Sequence, residues 1–110
     1  MRQQVEVLVV EGCPNLETAL AQVRTAIDAT NASSDVKVIR VDNDETAGRL
    51  RFLGSPTVRI DGIDVDPSAC ARDSYGLQCR VYAVDGRLVG APPTEWIESA
   101  LRARSLSPGR

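Results

Sequence analysis

Histidine is absent from this chain of 110 residues. Without an imidazole, cysteine–histidine and serine–histidine catalytic pairs are excluded, and so are metal sites that use histidine ligands. Aromatic residues are scarce, with one Phe, one Trp and two Tyr, so the core must be built mainly from Val, Leu, Ile and Ala. A net charge of -2 gives no reason to expect a nucleic-acid partner.

The chain also lacks a run of about 20 apolar residues, the length that a membrane-spanning helix needs. Because its N-terminus shows no signal-peptide pattern, we expect no membrane partner and a cytoplasmic location. There the three cysteines would be reduced at rest, unless two of them form a redox couple. An odd number of cysteines argues against a scaffold of structural disulfides. The length and the 43% hydrophobic content suit one globular domain.

The first half of the chain predicts a strand, a helix and a second strand. Residues 5–10 and 36–41 are apolar runs rich in β-branched side chains, which predict strands. Between them, apolar residues recur every three or four positions from Leu16 to Ile27, which predicts a helix with one buried face. Because a helix joins the two strands, they should be parallel, with a right-handed crossover.

A second helix is predicted after the second strand. Asp42 and Glu45 have the spacing of a capping box at its start, and Gly54 is a typical residue to end it. Residues 57–60 then predict a third strand, followed by a turn at residues 61–62.

The remaining part of the chain is less regular. Residues 63–78 show no clean period, and a loop of this length in a compact domain is usually functional or disordered. Two strands separated by a hairpin turn at residues 85–86 follow, and a last helix begins within residues 92–95. The tail at residues 105–110 is predicted to be disordered.

Cys13 stands between the first strand and the first helix, in the sequence Gly12-Cys13-Pro14. A cysteine at such a corner has its sulfur near a helix N-terminus, where free N–H groups and the helix dipole favour thiolate over thiol. One interpretation is a nucleophile that attacks a disulfide, a sulfenate or an electrophile. The alternative is an inert cysteine in a domain now used for binding.

This cysteine corner, followed later by Ser55-Pro56-Thr57 before a strand, resembles the thioredoxin-like superfamily. Asp85-Gly86 and then Gly90 before the last helix add to the resemblance, which covers about residues 5–103. It implies an α/β, thioredoxin-like fold with a mixed four- to five-stranded sheet and helices on both faces.

The resemblance also divides the chain. It implies a thioredoxin-like domain at residues 1–104, with a long loop insertion at residues 63–79, and a disordered tail at residues 105–110. The domain is expected to be a monomer without a cofactor or a bound metal.

The family supplies expected roles for the matching residues. The proline that matches Pro56 is cis and lies beside the active cysteine, and the residue before it pairs through its backbone with an extended substrate. The resemblance therefore implies that Cys13 is the catalytic nucleophile. The implied substrate-binding residues are Pro14, Asn15, Ser55, Pro56 and Thr57. The implied partner is a thiol- or disulfide-containing protein or a small thiol.

Leu16 departs from the family pattern, because it occupies the position of the second cysteine in a Cys-x-x-Cys pair. A mixed disulfide on Cys13 would then be resolved by an external thiol, or by Cys70 or Cys79. These two cysteines could also pair with each other.

Three functions therefore stay open at this point. The first is a small thiol-dependent oxidoreductase, and the second is a non-catalytic thioredoxin-fold binding module. The third is a thiol protein that binds a soft metal such as Cu(I), zinc or mercury, although no Cys-x-x-Cys knuckle supports it.

Overall fold

The computed structural model describes residues 2–105. The strands in this part of the chain are β1 (Gln3–Val9), β2 (Ser34–Arg40), β3 (Thr57–Ile60), β4 (Ile63–Asp64), β5 (Tyr82–Val84) and β6 (Arg87–Val89). The helices are α1 (Leu16–Thr30), α2 (Asp44–Arg49) and α3 (Thr94–Ser105), and a 3₁₀ turn spans Ala69–Ala71.

Four strands form a mixed sheet in the order β2-β1-β3-β4. β1 and β2 are parallel, with Gln3 opposite Ser34 and Val9 opposite Arg40. The predicted parallel pairing across α1 is therefore confirmed. β3 runs antiparallel to β1, with Leu8 opposite Thr57, and β4 is antiparallel to β3.

The two faces of this sheet carry separate apolar clusters. Because side chains alternate along a strand, Val5, Val7 and Val9 of β1 point to the face covered by α1 and α3. Leu8 points to the other face, where it packs with Phe52 and other residues near α2. The predicted mixed α/β architecture with helices on both faces is confirmed.

The later strands differ from the prediction. β5 and β6 form an antiparallel hairpin around the expected turn, but this hairpin is a separate two-stranded sheet. The turn that extends the main sheet is the one between β3 and β4, at Asp61 and Gly62, where both residues have a positive φ. Residues 63–78 contain one strand that the sequence did not predict, β4, while the 3₁₀ turn at Ala69–Ala71 falls where a short helical turn within residues 69–74 was expected.

α2 starts later and ends sooner than its sequence predicts. Its N-cap is Asn43, whose side chain accepts a hydrogen bond from the Thr46 N–H at 2.8 Å. Asp42 instead forms an ion pair with Arg40 at 2.8 Å. The helix ends at Arg49, and Arg51 has a φ of 55°, a left-handed conformation that cannot continue a helix.

The end of the chain is described as far as Ser105, which is the last residue of α3. The prediction of a disordered tail at residues 105–110 therefore falls almost entirely outside the described residues. Within residues 2–105, every helix is too short or too polar to cross a bilayer.

Candidate functional site

The turn between β1 and α1 places Cys13 at the edge of the core. The Cys13 N–H donates to the Val10 carbonyl at 3.3 Å, and the Leu16 N–H donates to the Cys13 carbonyl at 3.4 Å. Cys13 is half-buried and packs against the apolar cluster beneath α1 and α3, as Leu16 does. The residue in place of a second cysteine is therefore part of the core packing.

Asn15 connects this turn to the segment before α3. It is the N-cap residue of α1, yet its side chain makes no capping hydrogen bond. The side chain lies against Gly90, where an added Cβ would come within 2.6 Å of Asn15 Nδ2. A larger residue at position 90 would require the Asn15 side chain to move. Pro14, the neighbouring predicted contact residue, is exposed.

The Ser55–Pro56 peptide bond is cis, which confirms the isomer predicted from the sequence. Ser55 is buried, and its Oγ accepts a hydrogen bond from the Val10 N–H at 3.1 Å. The Tyr82 hydroxyl donates to the Pro56 carbonyl. Since the Cys13 turn also begins at Val10, the structure brings the two predicted motifs together around this residue.

The backbone of Ser55 is already paired within the chain. The Ser55 N–H donates to the Gln78 carbonyl at 2.8 Å, and the Arg80 N–H donates to the Ser55 carbonyl at 3.0 Å. Cys79 thus lies opposite Ser55 in a parallel bridge. The family resemblance implies that a substrate uses these two Ser55 groups. In this structure a partner strand would first have to displace residues 78–80.

Other contacts hold the same segment along residues 52–55. The Gly76 N–H donates to the Phe52 carbonyl at 3.1 Å, and Gln78 Nε2 donates to the Leu53 carbonyl at 3.1 Å. Gly54 has a φ of +132°, and a Cβ there would lie 2.9 Å from the Arg80 Cβ. We call this meeting of Val10, Ser55 and Cys79 the Ser55 junction.

Thr57 is also turned inward. Its side chain is fully buried, and its Oγ1 donates to the Gly54 carbonyl at 2.6 Å. The same oxygen accepts a hydrogen bond from Arg80 Nη1 at 2.9 Å. A direct contact between Thr57 and a substrate would therefore require this buried site to open.

A buried arginine underlies the Ser55 junction. Arg80 is only 2% exposed, and its Nη1 and Nη2 donate to the two carboxylate oxygens of Asp64 at 2.8 and 3.2 Å. Nη2 also donates to Asp66 at 3.3 Å. The guanidinium carbon lies 4.5 Å from the centre of the Tyr82 ring, a cation–π distance. These contacts keep the buried charge paired.

The local charges set the ionisation of this cluster. Burial raises the pKa of Asp66, but hydrogen bonds from Ser68 and the charge of Arg80 outweigh it and hold that pKa below 3.8. Burial lowers the pKa of Arg80, while the hydrogen bond and charge of Asp64 raise it above its usual value. Burial raises the pKa of Tyr82 well above 10, so its hydroxyl keeps the proton that it donates to Pro56.

The three cysteines occupy different surroundings, and all are free thiols. Cys79 is exposed beside Ser55, whereas Cys70 is exposed in the 3₁₀ turn, where it lines a cavity with Arg59 and Arg72. Within residues 2–105 no three side chains of the ligand-forming types are grouped to hold a metal ion. The soft-metal hypothesis requires all three sulfurs to converge, and the described structure does not bring them together.

No family model matches this sequence. No curated protein matches it either.

The buried cluster of Arg80, Asp64, Asp66 and Tyr82 was not predicted from the sequence. Arginine and aspartate are usually exposed, so single charged residues in an irregular segment carry no signal of burial. The alternation of Asp64 and Asp66 places both on one side of an extended chain, which is the one pattern that could have indicated a shared partner.

Proposed function

We propose that this chain is a divergent thioredoxin-like domain that acts as a monomeric thiol-disulfide oxidoreductase, with Cys13 as its nucleophile. The observation that carries the proposal is the hydrogen bond between the Val10 N–H and Ser55 Oγ. It holds the cis Ser55–Pro56 bond next to the turn that bears Cys13. A corner cysteine beside a cis-proline is the arrangement that the family resemblance implies.

The sheet supports the same proposal. A parallel β1–β2 pair joined by α1 is followed by β3, antiparallel to β1, and by the β3–β4 hairpin. The cis bond lies directly before β3, and α3 packs on the same face as α1. This order of elements supports the thioredoxin-like fold that the resemblance implies.

In the proposed reaction, the Cys13 thiolate attacks one sulfur of a partner disulfide. A bond forms between Cys13 and that sulfur, and the other partner sulfur leaves as a thiolate that takes up a proton. A second thiolate then attacks the Cys13 sulfur and releases the first partner sulfur. The partner gains two electrons, and the protein is left with a disulfide that small external thiols reduce.

Cys79 is the resolving cysteine that the structure favours. It lies opposite Ser55, and Ser55 bonds to Val10, whose carbonyl accepts from the Cys13 N–H. Cys70 lines a cavity on the side of the sheet occupied by Arg59 and residues 50–53, whereas Cys13 packs beneath α1 and α3.

Peptide mapping tests this assignment, because trypsin places Cys13, Cys70 and Cys79 in separate peptides, 3–24, 60–72 and 73–80. With limiting glutathione disulfide, we expect a disulfide between peptides 3–24 and 73–80. In Cys79→Ser, glutathione should accumulate on peptide 3–24. A cross-link to peptide 60–72 instead would show that Cys70 resolves. Adducts that avoid Cys13 would contradict its role as nucleophile.

Insulin reduction driven by dithiothreitol gives the matched activity measurement. Cys13→Ser should lose the acceleration, while Cys70→Ser should retain it. If all variants match the uncatalysed rate, and Cys13 is unreactive in the mapping, the domain is a binding module rather than a catalyst.

A further inference from the structure

A cavity of about 460 Å³ lies away from the Ser55 junction. Its walls come from the chain after α2, from the β3–β4 hairpin and from the segment around the 3₁₀ turn. The volume is within the range of about 300–1,000 Å³ that is typical of small-molecule sites. We call it the Arg59 cavity.

The charged groups of this cavity are mainly basic. Arg51, Arg59 and Arg72 line it together with Asp64 and Asp66. The two carboxylates are already engaged by the buried Arg80. Four guanidinium groups therefore act against two carboxylates, and the surplus positive charge faces the cavity.

The lining arginines retain unused hydrogen-bond donors. Among the described residues, Arg59 donates only through Nη2, to the carbonyls of Leu50 and Arg51 at 2.7 and 3.0 Å, so two backbone contacts fix its side chain in place. Among residues 2–105 the Arg51 side chain makes no ion pair or hydrogen bond. Arg72 is 3.8 Å from Asp66 and 41% exposed. Such free guanidinium donors suit a carboxylate or a sulfonate.

Two large apolar side chains of the lining are exposed. Ile63 is 54% exposed and Tyr75 is 36% exposed, and both face the cavity. An apolar body placed against these side chains would remove them from water, which is favourable in proportion to the area covered. The cavity therefore combines an apolar wall with a basic one.

We propose that the Arg59 cavity binds a small amphipathic organic anion, an aromatic carboxylate or sulfonate, whose ring packs on Ile63 and Tyr75. Its acid group bonds to the guanidinium groups of Arg51, Arg59 and Arg72. The site is separate from Cys13, so it adds to the proposed redox function without depending on it. Cys70 lines the same cavity, so the rate at which its thiol reacts measures how readily a reagent enters.

The first test compares two aromatic disulfides as reagents for Cys70 in a Cys13→Ser, Cys79→Ser chain. Dithiobis(nitrobenzoate) carries two carboxylates, whereas dithiodipyridine is neutral. We expect the ratio of their rates to fall about fivefold in Arg51→Gln, Arg72→Gln, since each of the two partly exposed charge pairs contributes about twofold. Arg24→Gln, Arg87→Gln removes two exposed arginines outside the cavity, so it is the matched charge control and should leave the ratio unchanged.

A second measurement does not depend on the substituted arginines folding normally. Raising the salt concentration in the chain that keeps all its arginines should slow the dianionic reagent and leave the neutral one unaffected. Anilinonaphthalene sulfonate should also bind the native protein, and Ile63→Ser should weaken it severalfold. A rate ratio that changes neither with the salt concentration nor with the arginine substitutions would overturn the proposal. Dye binding that is unchanged in Ile63→Ser would overturn it as well.

Discussion

The Ser55 junction and the Arg59 cavity both include residues from the stretch 63–80, yet they differ in how fully their polar groups are used. At the junction, the N–H and carbonyl of Ser55 are both bonded within the chain. In the cavity, Arg51 and most donors of Arg59 lack a protein acceptor among residues 2–105. At the Ser55 junction the chain's own groups occupy the polar groups of Ser55. In the Arg59 cavity, hydrogen-bond donors and apolar side chains stay available to a ligand.

One residue, Arg80, joins the two regions. Arg80 pairs with Asp64 and Asp66, which line the cavity, and it bonds to Thr57 directly after the cis-proline. Arg80 therefore belongs to both regions: its side chain neutralises the acidic side chains of the cavity, and its N–H bonds to the Ser55 carbonyl.

The largest effect should come from removing this shared arginine. We expect Arg80→Met to lower the free energy of unfolding by about 3–5 kcal/mol, because two mostly buried carboxylates lose their partner. Urea unfolding measures this. Arg87→Met, at an exposed position, should change stability by less than about 0.5 kcal/mol. Equal losses of unfolding free energy in the two variants would mean that the buried ion pairs stabilise the fold no more than an exposed arginine does.

A smaller effect, confined to the junction side, is expected from Gly90→Ala. The new Cβ would lie within 2.6–2.9 Å of three side-chain atoms of Asn15. Because these atoms form the end of a half-buried side chain that can turn away, we expect a loss of about 1 kcal/mol, the low end for overpacking. Asn15→Ala should restore most of that loss, since the clashing amide is then gone and no capping bond is sacrificed. Binding of anilinonaphthalene sulfonate should stay unchanged. Additive losses in the double variant would contradict the predicted contact.

The smallest effect is a dependence of stability on pH, which should appear only in acid. Because the folded pKa of Asp66 is held below 3.8, its stabilisation is complete above the unfolded pKa of about 3.9 and is lost as the pH falls through the lower folded value. The stability gap between the unchanged chain and Asp66→Asn should therefore narrow below about pH 4. Asp28→Asn, on the exposed surface of α1, controls for removing a carboxylate. A gap that stays constant down to pH 2 would argue against the charged pair.

The regular elements were predicted well because their signals are local. The β-branched runs gave β1, β2 and β3, and the spacing of apolar residues after Leu16 gave α1. The cis bond at Pro56 and the position of Cys13 at the β1–α1 corner also follow the prediction.

What was missed depends on distant contacts. Residues 76–80 align with residues 52–55 through backbone bonds, which leave no side-chain period in the sequence. α2 ends early because Arg51 takes a positive φ, and Arg59 bonds to the carbonyls of Leu50 and Arg51. The sequence of residues 50–53 predicts a continued helix because Arg59, which makes that contact, lies outside the short segment from which a helix is predicted.

The pairing of Ser55 with Gln78 and Arg80 makes residues 78–80 a tethered competitor for any strand that docks there. A segment held by a short connection acts at an effective concentration of about the millimolar range. The affinity measured for such a partner is then its intrinsic affinity multiplied by the fraction of molecules in which residues 78–80 have detached from Ser55. Changes that loosen residues 78–80 should therefore tighten partner binding without adding a single contact to the partner.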